Sequence, residues 1–339
     1  MMDKYFKDWS EVAFEVYSFI VIDRNVLKLF PEIKHFFKSS YLVVDSSEDL
    51  KSLEYFNSFV QRLSEKSFNP SREDKILAIG GGVVGDLVGF LASIWKRGIA
   101  WDVLPTTWIS ILDSSYGGKT ALNVGSVKNL MGTFHPPHQR MFVFDLVDLI
   151  LDDDQQINIA YGEIVKTILM SSSLADFSSS PSQILLNNWR TLSDVKKEYV
   201  DGDLHERENK RILLNFGHTI AHSFERSFNM SHGQSVYYGI LFSLWLSFEK
   251  GYLSSVKYSQ LIAWMKKTDW DQYLCYSINQ EKLCEIQAAL EFDKKLMASN
   301  LINFIFFNGS KAIVKELQLS DLKLKFRRYC QDVLGVADA

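Results

Sequence analysis

The chain has 339 residues, of which 47% are hydrophobic and 23% charged, and this composition excludes a disordered or collagen-like chain. At about 100–200 residues per domain, the length predicts two domains. A net charge of −4 without a basic block argues against a dedicated nucleic-acid-binding protein, which needs positive charge to neutralise phosphates. Three cysteines without a CxxC pair indicate free thiols in a reducing compartment.

The sequence contains no segment typical of export or membrane insertion. The amino-terminal residues MMDKYFKDWSEV are charged and lack the apolar core of a signal peptide. The longest uncharged apolar run, at about 235–248, is shorter than the ~20 residues that a membrane span requires. We therefore interpret it as a buried helix and expect a cytoplasmic protein without a membrane partner.

The distribution of apolar residues predicts an α/β domain over residues 1–150 and a mainly helical domain over 151–339. Strand-like runs alternate with helical patterns in the first part, which is typical of a parallel, Rossmann-like sheet. After Asp152 the patterns are almost all helical, except for a short strand pair and a final helix from Ser320. The predicted strands are 19–23, 41–45, 75–82, 99–105 and 140–145, with the later pair at 303–307 and 311–314.

A glycine loop follows the third predicted strand and opens a helix. Gly80, Gly82 and Gly85 satisfy the GxGxxG spacing, in which glycines let the backbone approach a pyrophosphate at a helix amino terminus. The acid expected about 20 residues later is at best Asp102, which lies inside a strand-like run. Asp86 within the loop is unusual, because its carboxylate would repel a phosphate group. The loop alone does not distinguish nucleotide binding from a tight structural turn between strand and helix.

Small and polar residues then dominate from Pro105 to Asn129, where Asp, Lys and Asn stand beside glycines. Such a segment suits a wall packed against a ligand, and a solvated loop is the alternative.

A histidine-rich stretch carries the most information. Residues 211–225 predict one helix, on which Arg211, Asn215, His218 and His222 fall at roughly 0°, 40°, −20° and 20° and so share one stripe. His232 follows ten residues after His222, and upstream Glu163 and Lys166 share a helix face. One Glu with two His is a common divalent-metal set. The spacing does not decide which two of the three histidines bind, and satisfied core histidines are the alternative.

Nine segments of the chain form a recognisable set, namely GGGVVGDLVGFLAS (80–93), RGI (97–99), PTT (105–107), DSSYGGKTALN (113–123), KNLMGTFHPP (128–137), GEIVK (162–166), LNFGHTIAHSFE (214–225), HGQSV (232–236) and FDKK (292–295). Taken together, these segments resemble the 3-dehydroquinate synthase family of sugar phosphate cyclases. The similar segments occur in family order along the chain and are far more specific than any one motif. A weaker similarity to the family includes Glu48 and Lys51, which match its Glu-x-x-Lys motif.

The resemblance implies a role for each matching residue. Glu163, His218 and His232 would bind one divalent metal ion, zinc or cobalt. The catalytic residues would be His222, Lys166, Asp113 and Asn215. Substrate would contact Lys119, Lys128, Asn129, Lys197, Arg211 and Lys294 or Lys295. NAD would contact Gly81, Gly82, Val83, Asp86, Thr106 and Thr107, with Asp23, Glu48 and Lys51 further out. A homodimer is usual in the family.

The implied reaction converts 3-deoxy-D-arabino-heptulosonate 7-phosphate to 3-dehydroquinate and phosphate, with NAD regenerated in each turnover. The chain departs from the family pattern at Tyr116, His135 and Gln234, and in the stretch 203–211 that bears on the alignment of Lys197. Its amino-terminal domain is also short. Three alternatives remain open. They are a sister cyclase acting on a sugar phosphate without the carboxylate, a metal-dependent polyol dehydrogenase, and a non-catalytic homologue that binds NAD or metal.

Overall fold

The structure, a computed structural model, divides into two compact units, Met1–Gln156 and Ile157–Ala339. None of the helices in its described part combines the length and apolarity needed to cross a bilayer. The description covers residues 1–66, 68–125, 127–174, 177–204, 206, 210–228, 230–266, 270, 278–291 and 300–336.

The first unit is built on a six-stranded parallel sheet, in the order β1-β8-β5-β4-β2-β3. The central strands are apolar runs that are buried along almost their whole length, as expected for a sheet covered on both faces. A separate antiparallel hairpin joins β6 and β7. The strands are β1 (Met2–Phe6), β2 (Phe19–Asp23), β3 (Ser40–Val44), β4 (Lys75–Gly80), β5 (Ala100–Pro105), β6 (Lys119–Val124), β7 (Val127–Phe134) and β8 (Gln139–Val143).

Helices connect these strands, and the most buried of them follows the glycine loop. This helix, α3, carries Gly89 on its inner face, where a Cβ atom would lie 2.3 Å from the Thr120 side chain and 2.7 Å from Trp101. A glycine is therefore needed for the helix to pack this closely. The helices of the unit are α1 (Arg24–Leu29), α2 (Leu53–Glu65), α3 (Gly82–Ile94) and α4 (Phe144–Leu151).

The second unit is mainly helical and contains one antiparallel strand pair. Its core is rich in aromatic side chains, with Phe242 in ring contact with Phe304, Phe326 and Tyr329. The helices are α5 (Asp154–Met170), α6 (Pro181–Val200), α7 (His218–Phe228), α8 (His232–Glu249), α9 (Ser255–Met265), α10 (Gln280–Glu291) and α11 (Leu319–Asp332), and the strands are β9 (Leu301–Phe307) and β10 (Ala312–Gln318).

The predicted fold class is confirmed, and the five predicted strands and the later strand pair all form within a few residues of the predicted bounds. Two elements differ from the predictions. The predicted strands omitted β1, which is held by pairing with β8 and by an ion pair of 2.6 Å between Asp3 and Arg140. The polar segment between Pro105 and Asn129 is not only loop, because it contributes β6 and the start of β7.

The prediction of one continuous helix over residues 211–225 is wrong. Residues Arg211–Asn215 form a 3₁₀ turn, and α7 begins only at His218. Between them Gly217 has φ +80°, a left-handed conformation that favours glycine. Arg211 and Asn215 therefore do not continue the helical stripe that His218 and His222 form.

Candidate active site

The glycine loop lies at the carboxyl end of the sheet in the first unit. A Cβ atom on Gly82 would lie 2.7 Å from Ser114 Oγ, and one on Gly81 would lie 3.2 Å from the Thr107 side chain. The Thr106 amide donates to the Gly80 carbonyl oxygen at 3.1 Å, so the loops after β4 and β5 are joined. The carboxyl ends of adjacent parallel strands are where such sheets bind ligands.

The amino terminus of α3 is open at this loop. The N-cap residue Gly81 has no side chain with which to cap the first amides of the helix, and Val83 lies in the first turn of α3. Free amides and a positive dipole end suit a phosphate group. The loop therefore offers both the close approach and the donors that a dinucleotide requires.

Asp86 is neutralised within the protein, which removes the objection that its carboxylate would repel phosphate. Its Oδ2 lies 2.6 Å from Lys51 Nζ, and the Ala121 amide also donates to it. Burial raises the pKa of Asp86, although Lys51 opposes that shift. Lys51 itself is buried and also donates to Asn129 Oδ1 at 2.5 Å. Lys51 thus links the start of α3 to the β6–β7 hairpin.

Three further acids of the first unit accept hydrogen bonds within the protein. Asp23, predicted at the edge of the NAD site, accepts from the Asn25 amide at 2.7 Å as the N-cap of α1. Asp102 is fully buried and accepts from Tyr17 Oη at 2.7 Å and from the Gln139 amide at 2.9 Å. These bonds make Asp102 a structural residue rather than a ribose ligand. Glu48 accepts from Asn123 Nδ2 at 2.9 Å.

The predicted substrate residues of the first unit lie on its hairpin and on the segment before it. Asp113 lies in a short π-helical segment (Ser110–Ser114), and Lys119 begins β6 with an exposed side chain. Lys128 and Asn129 are exposed on β7, where Asn129 has φ +52° and its amide donates to Asn123 Oδ1 at 2.8 Å.

Two departures from the family pattern have a structural explanation. The buried Tyr116 ring lies 4.8 Å from the Arg140 guanidinium carbon, a cation–π contact that ties the segment before Lys119 to β8. The His135 Nε2 atom lies 2.9 Å from the Ile99 carbonyl oxygen. Both side chains therefore act in packing the first unit.

In the second unit, one glutamate and two histidines come together as the sequence indicates. Glu163 Oε1 lies 3.2 Å from His218 Nε2 and 3.0 Å from His232 Nε2. The ligand atoms of the three residues all lie within 4.8 Å of one another. Glu163 is fully buried, and Oε2 of its carboxylate lies 2.5 Å from Lys166 Nζ.

Close helix packing brings two of these residues together. A Cβ atom on Gly162 would lie 2.1 Å from the Gly233 carbonyl oxygen, so α5 and α8 cross with almost no space between their backbones. Glu163 and His232 are the chain neighbours of these two glycines. The glycine pair therefore sets the distance between the two ligands.

A second glycine contact positions His218. A Cβ atom on Gly239 would lie 2.0 Å from the Gly217 carbonyl oxygen, which places α8 directly against the start of α7. The turn at Gly217 also brings the Phe216 carbonyl oxygen to 3.2 Å from His218 Nδ1.

The donor set fits a divalent cation. Carbonyl and carboxylate oxygens accept hydrogen bonds, so His218 Nδ1, beside Phe216, and His232 Nδ1, 2.7 Å from Glu225 Oε1, must both be donors. In neutral rings, the two Nε2 lone pairs then face Glu163 Oε1, and three electron-pair donors converge. Metal bonds of 2.0–2.1 Å in a tetrahedral site separate ligand atoms by about 3.3 Å, close to the observed spacings.

The charges around the cluster act on its protonation. Burial favours neutral Glu163, but Lys166 and the two histidines outweigh it and hold the pKa of Glu163 well below its usual value. Burial, with Lys166 nearby, lowers the pKa of His218. Burial also opposes protonation of His232, but hydrogen bonds to Glu163 and Glu225 prevail and raise its pKa to about 10. A charged carboxylate and neutral imidazole rings are the forms that bind metal, so binding displaces a proton from His232.

The remaining predicted residues of the second unit differ in burial and in local contacts. His222 lies one turn after His218 on α7 with an exposed side chain, and the two ring centroids are 5.8 Å apart. Arg211 is buried, and its guanidinium donates to the Leu204 carbonyl oxygen at 2.7 Å. Asn215 ends the 3₁₀ turn, and Lys197 is exposed near the end of α6. Lys294 and Lys295 lie outside the described residues.

Two functional features were missed from the sequence. Glu225, the last residue of the LNFGHTIAHSFE segment, contacts His232. The pair Gly162 and Gly233 allows α5 and α8 to cross closely. The available signal was that each glycine adjoins a predicted ligand in the chain.

Comparison with known proteins identifies the family. The family model described as 3-dehydroquinate synthase N-terminal matches residues 41–156, and the one described as 3-dehydroquinate synthase C-terminal matches residues 160–296. The chain belongs to the 3-dehydroquinate synthase family. A 3-dehydroquinate synthase of Coxiella burnetii (strain RSA 331 / Henzerling II) is 31% identical over 301 residues, which cover 85% of this chain and 81% of the relative. The resemblance inferred from the motifs is thereby confirmed.

Solved structures share the fold of this 3-dehydroquinate synthase family member at lower identity. A 2-deoxy-scyllo-inosose synthase complexed with carbaglucose-6-phosphate, NAD+ and Co2+ has a TM-score of 0.76 at 19% identity, covering 96% of both chains. ValA, a 2-epi-5-epi-valiolone synthase from Streptomyces hygroscopicus subsp. jinggangensis 5008 with NAD+ and Zn2+ bound, has a TM-score of 0.77 at 21% identity, covering 97% of this chain and 96% of its own.

Proposed function

We propose that the protein is a 3-dehydroquinate synthase that uses NAD and one divalent metal ion. It converts 3-deoxy-D-arabino-heptulosonate 7-phosphate to 3-dehydroquinate and phosphate, a carbon–oxygen lyase reaction without net redox change. The observation that carries the proposal is the cluster of Glu163, His218 and His232 in a chain whose two halves match the two models of this family.

The metal ion and NAD supply the chemistry that side chains lack. Glu163, His218 and His232 would hold the metal ion, which would supply Lewis acidity toward a substrate hydroxyl, and NAD would supply reversible hydride transfer. The glycine loop of residues 80–82, with Thr106, Thr107 and Asp86 around it, holds the dinucleotide. Of the metals found with structural neighbours, zinc suits two histidines and one carboxylate best.

The other residues bind the substrate and move protons. Lys166 keeps Glu163 charged, and its buried ammonium offers a fixed positive charge beside the metal ligands. His222 presents an imidazole beside the cluster, where it relays a proton between the substrate and solvent. Asp113 and Asn215 orient substrate hydroxyl groups through hydrogen bonds.

The basic residues select a substrate that carries both a phosphate and a carboxylate. Arg211 suits bidentate binding of an anion, and Lys119, Lys128 and Lys197 act as point charges. Asn129 and the pair Lys294 and Lys295 complete the proposed substrate contacts. Asn215, with Arg211 and Lys197, favours a carboxylated substrate over the sugar phosphates of sister cyclases. We expect the enzyme to act as a homodimer in the cytoplasm.

A substrate panel tests the proposal. The zinc-loaded protein with NAD is incubated with the heptulosonate phosphate or with a seven-carbon sugar phosphate that lacks the carboxylate, and phosphate and cyclic product are measured. The proposal predicts equal amounts of phosphate and 3-dehydroquinate from the first compound and little turnover of the second. Turnover of the second alone would assign the chain to a sister cyclase activity.

A further inference from the structure

Glu225 contacts one of the metal-binding histidines from the side opposite the cluster. Its Oε1 lies 2.7 Å from His232 Nδ1, while His232 Nε2 lies 3.0 Å from Glu163 Oε1. The His232 ring is therefore held between two carboxylates, one in the ligand cluster and one outside it. The Glu225 side chain is only 14% exposed, so water screens this hydrogen bond weakly.

This contact determines which ring nitrogen of His232 faces the cluster. A carboxylate accepts hydrogen bonds, so when the ring is neutral, as metal binding requires, its proton lies on Nδ1 and its lone pair on Nε2. The Nε2 lone pair is the one directed at Glu163. Without Glu225, either tautomer is available, and the tautomer with the proton on Nε2 cannot bind a metal through the nitrogen that faces the cluster.

His232 depends on such a contact more than His218 does. The His218 side chain is 11% exposed and is backed by the Phe216 backbone carbonyl, whereas the His232 side chain is 35% exposed. Packing therefore restricts the His218 ring, while a hydrogen bond must fix the orientation of the His232 ring. Glu225 is also the one of these two supports that a substitution can remove.

We infer that Glu225 is a positioning residue that fixes the tautomer and orientation of His232 for metal binding. The inference rests on the proposed metal site and adds to it a residue that does not itself touch the ion. Carboxylates that hydrogen-bond to metal-binding histidines typically change metal affinity by about 10- to 100-fold.

The test measures metal binding directly. Zn²⁺ affinity is determined by competition with a chromogenic chelator for the wild type, Glu225→Gln and Glu225→Asp, and the absorption spectrum of bound Co²⁺ reports ligand geometry. Glu285→Gln is the matched control, because Glu285 is an exposed residue of α10 that pairs with Lys282. We expect Glu225→Gln to weaken Zn²⁺ binding about 10- to 100-fold and to alter the Co²⁺ spectrum.

The variants also separate positioning from a general loss of structure. Glu225→Asp keeps the acceptor charge and is expected to recover part of the affinity, while Glu285→Gln binds Zn²⁺ as the wild type does. The unfolding temperature of each metal-free variant gives its own baseline, and added Zn²⁺ should raise that temperature less in Glu225→Gln than in the wild type.

Two results would overturn the inference in distinguishable ways. If the wild type binds Zn²⁺ and Glu225→Gln binds it equally well with an unchanged Co²⁺ spectrum, Glu225 does not position His232, and the metal site stands. If the wild type itself binds no divalent metal, the proposed metal site is wrong and the inference fails with it.

Discussion

The crossing of α5 and α8 makes a sharp prediction about metal binding. In Gly162→Ala, the new Cβ atom would lie 2.1 Å from the Gly233 carbonyl oxygen and 2.5 Å from the Tyr237 amide nitrogen. Ordinary carbon–oxygen contacts are about 3.3 Å, so the helices must separate by about 1.2 Å. Both obstructing atoms belong to the backbone and cannot rotate away. The separation therefore moves Glu163 away from His232.

This displacement exceeds what the proposed metal site can absorb. Metal–ligand distances tolerate deviations of about 0.2 Å, so Gly162→Ala should lose most of its bound zinc although all three ligands remain. Overpacking costs about 1–3 kcal/mol, and the better helix propensity of alanine returns about 1 kcal/mol. We expect the free energy of unfolding of the metal-free protein to fall by up to about 2 kcal/mol.

Elemental analysis and urea unfolding of the purified variant test this prediction. Gly85→Ala is the matched control, because Gly85 lies in helix α3 and a Cβ atom there would meet nothing within 4 Å. The control should keep its zinc and gain up to about 1 kcal/mol in stability. A Gly162→Ala protein with a full equivalent of zinc and wild-type stability would refute the reasoning.

Three further predictions concern other residues of the site. Elemental analysis should show that His218→Ala loses the metal, whereas His222→Ala keeps a full equivalent of metal and loses about 100-fold or more in activity. The reverse pattern of metal content would exchange the roles of the two histidines. Lys51→Met should lower the free energy of unfolding by up to about 3 kcal/mol, because it leaves the Asp86 carboxylate, whose side chain is only 20% exposed, without its cation. The Glu48 side chain is 45% exposed and 3.8 Å from Lys51, so Glu48→Gln should change the free energy of unfolding in urea by less than about 1 kcal/mol. Lys197→Ala should raise KM for the substrate about ten- to hundredfold, because a charge-assisted contact is lost, and titration should show unchanged NAD affinity. Unchanged substrate kinetics would show that the alignment through residues 203–211 is wrong.

Local sequence patterns were sufficient for the elements whose burial follows from their own residues. The strand β2 (FIVID) is apolar in four of its five positions and fully buried, and a run of this kind predicts a central parallel strand. The edge strand β1 (MDKYF) carries Asp3 and Lys4 and has no such signal. Its place in the sheet depends on Arg140, which lies 137 residues away in the chain.

The metal cluster shows where spacing stops being informative. A continuous helix would put His218 and His222 on one face, so periodicity could not separate them, and the resemblance to the family selected His218. The structure groups His218 with Glu163 and His232 and leaves His222 out of the cluster of described residues. At the break, Gly217 packs against α8, and a tertiary contact of this kind leaves no periodic pattern in the local sequence.

The most direct test of the proposed function is a count of turnovers per NAD. Zinc-loaded protein is supplied with NAD at one equivalent per chain and the heptulosonate phosphate in large excess, while released phosphate and NADH absorbance are followed together. The account predicts many equivalents of phosphate for each NAD and no accumulation of NADH. NADH that rises in step with substrate consumption, and stops when the NAD is exhausted, would contradict it.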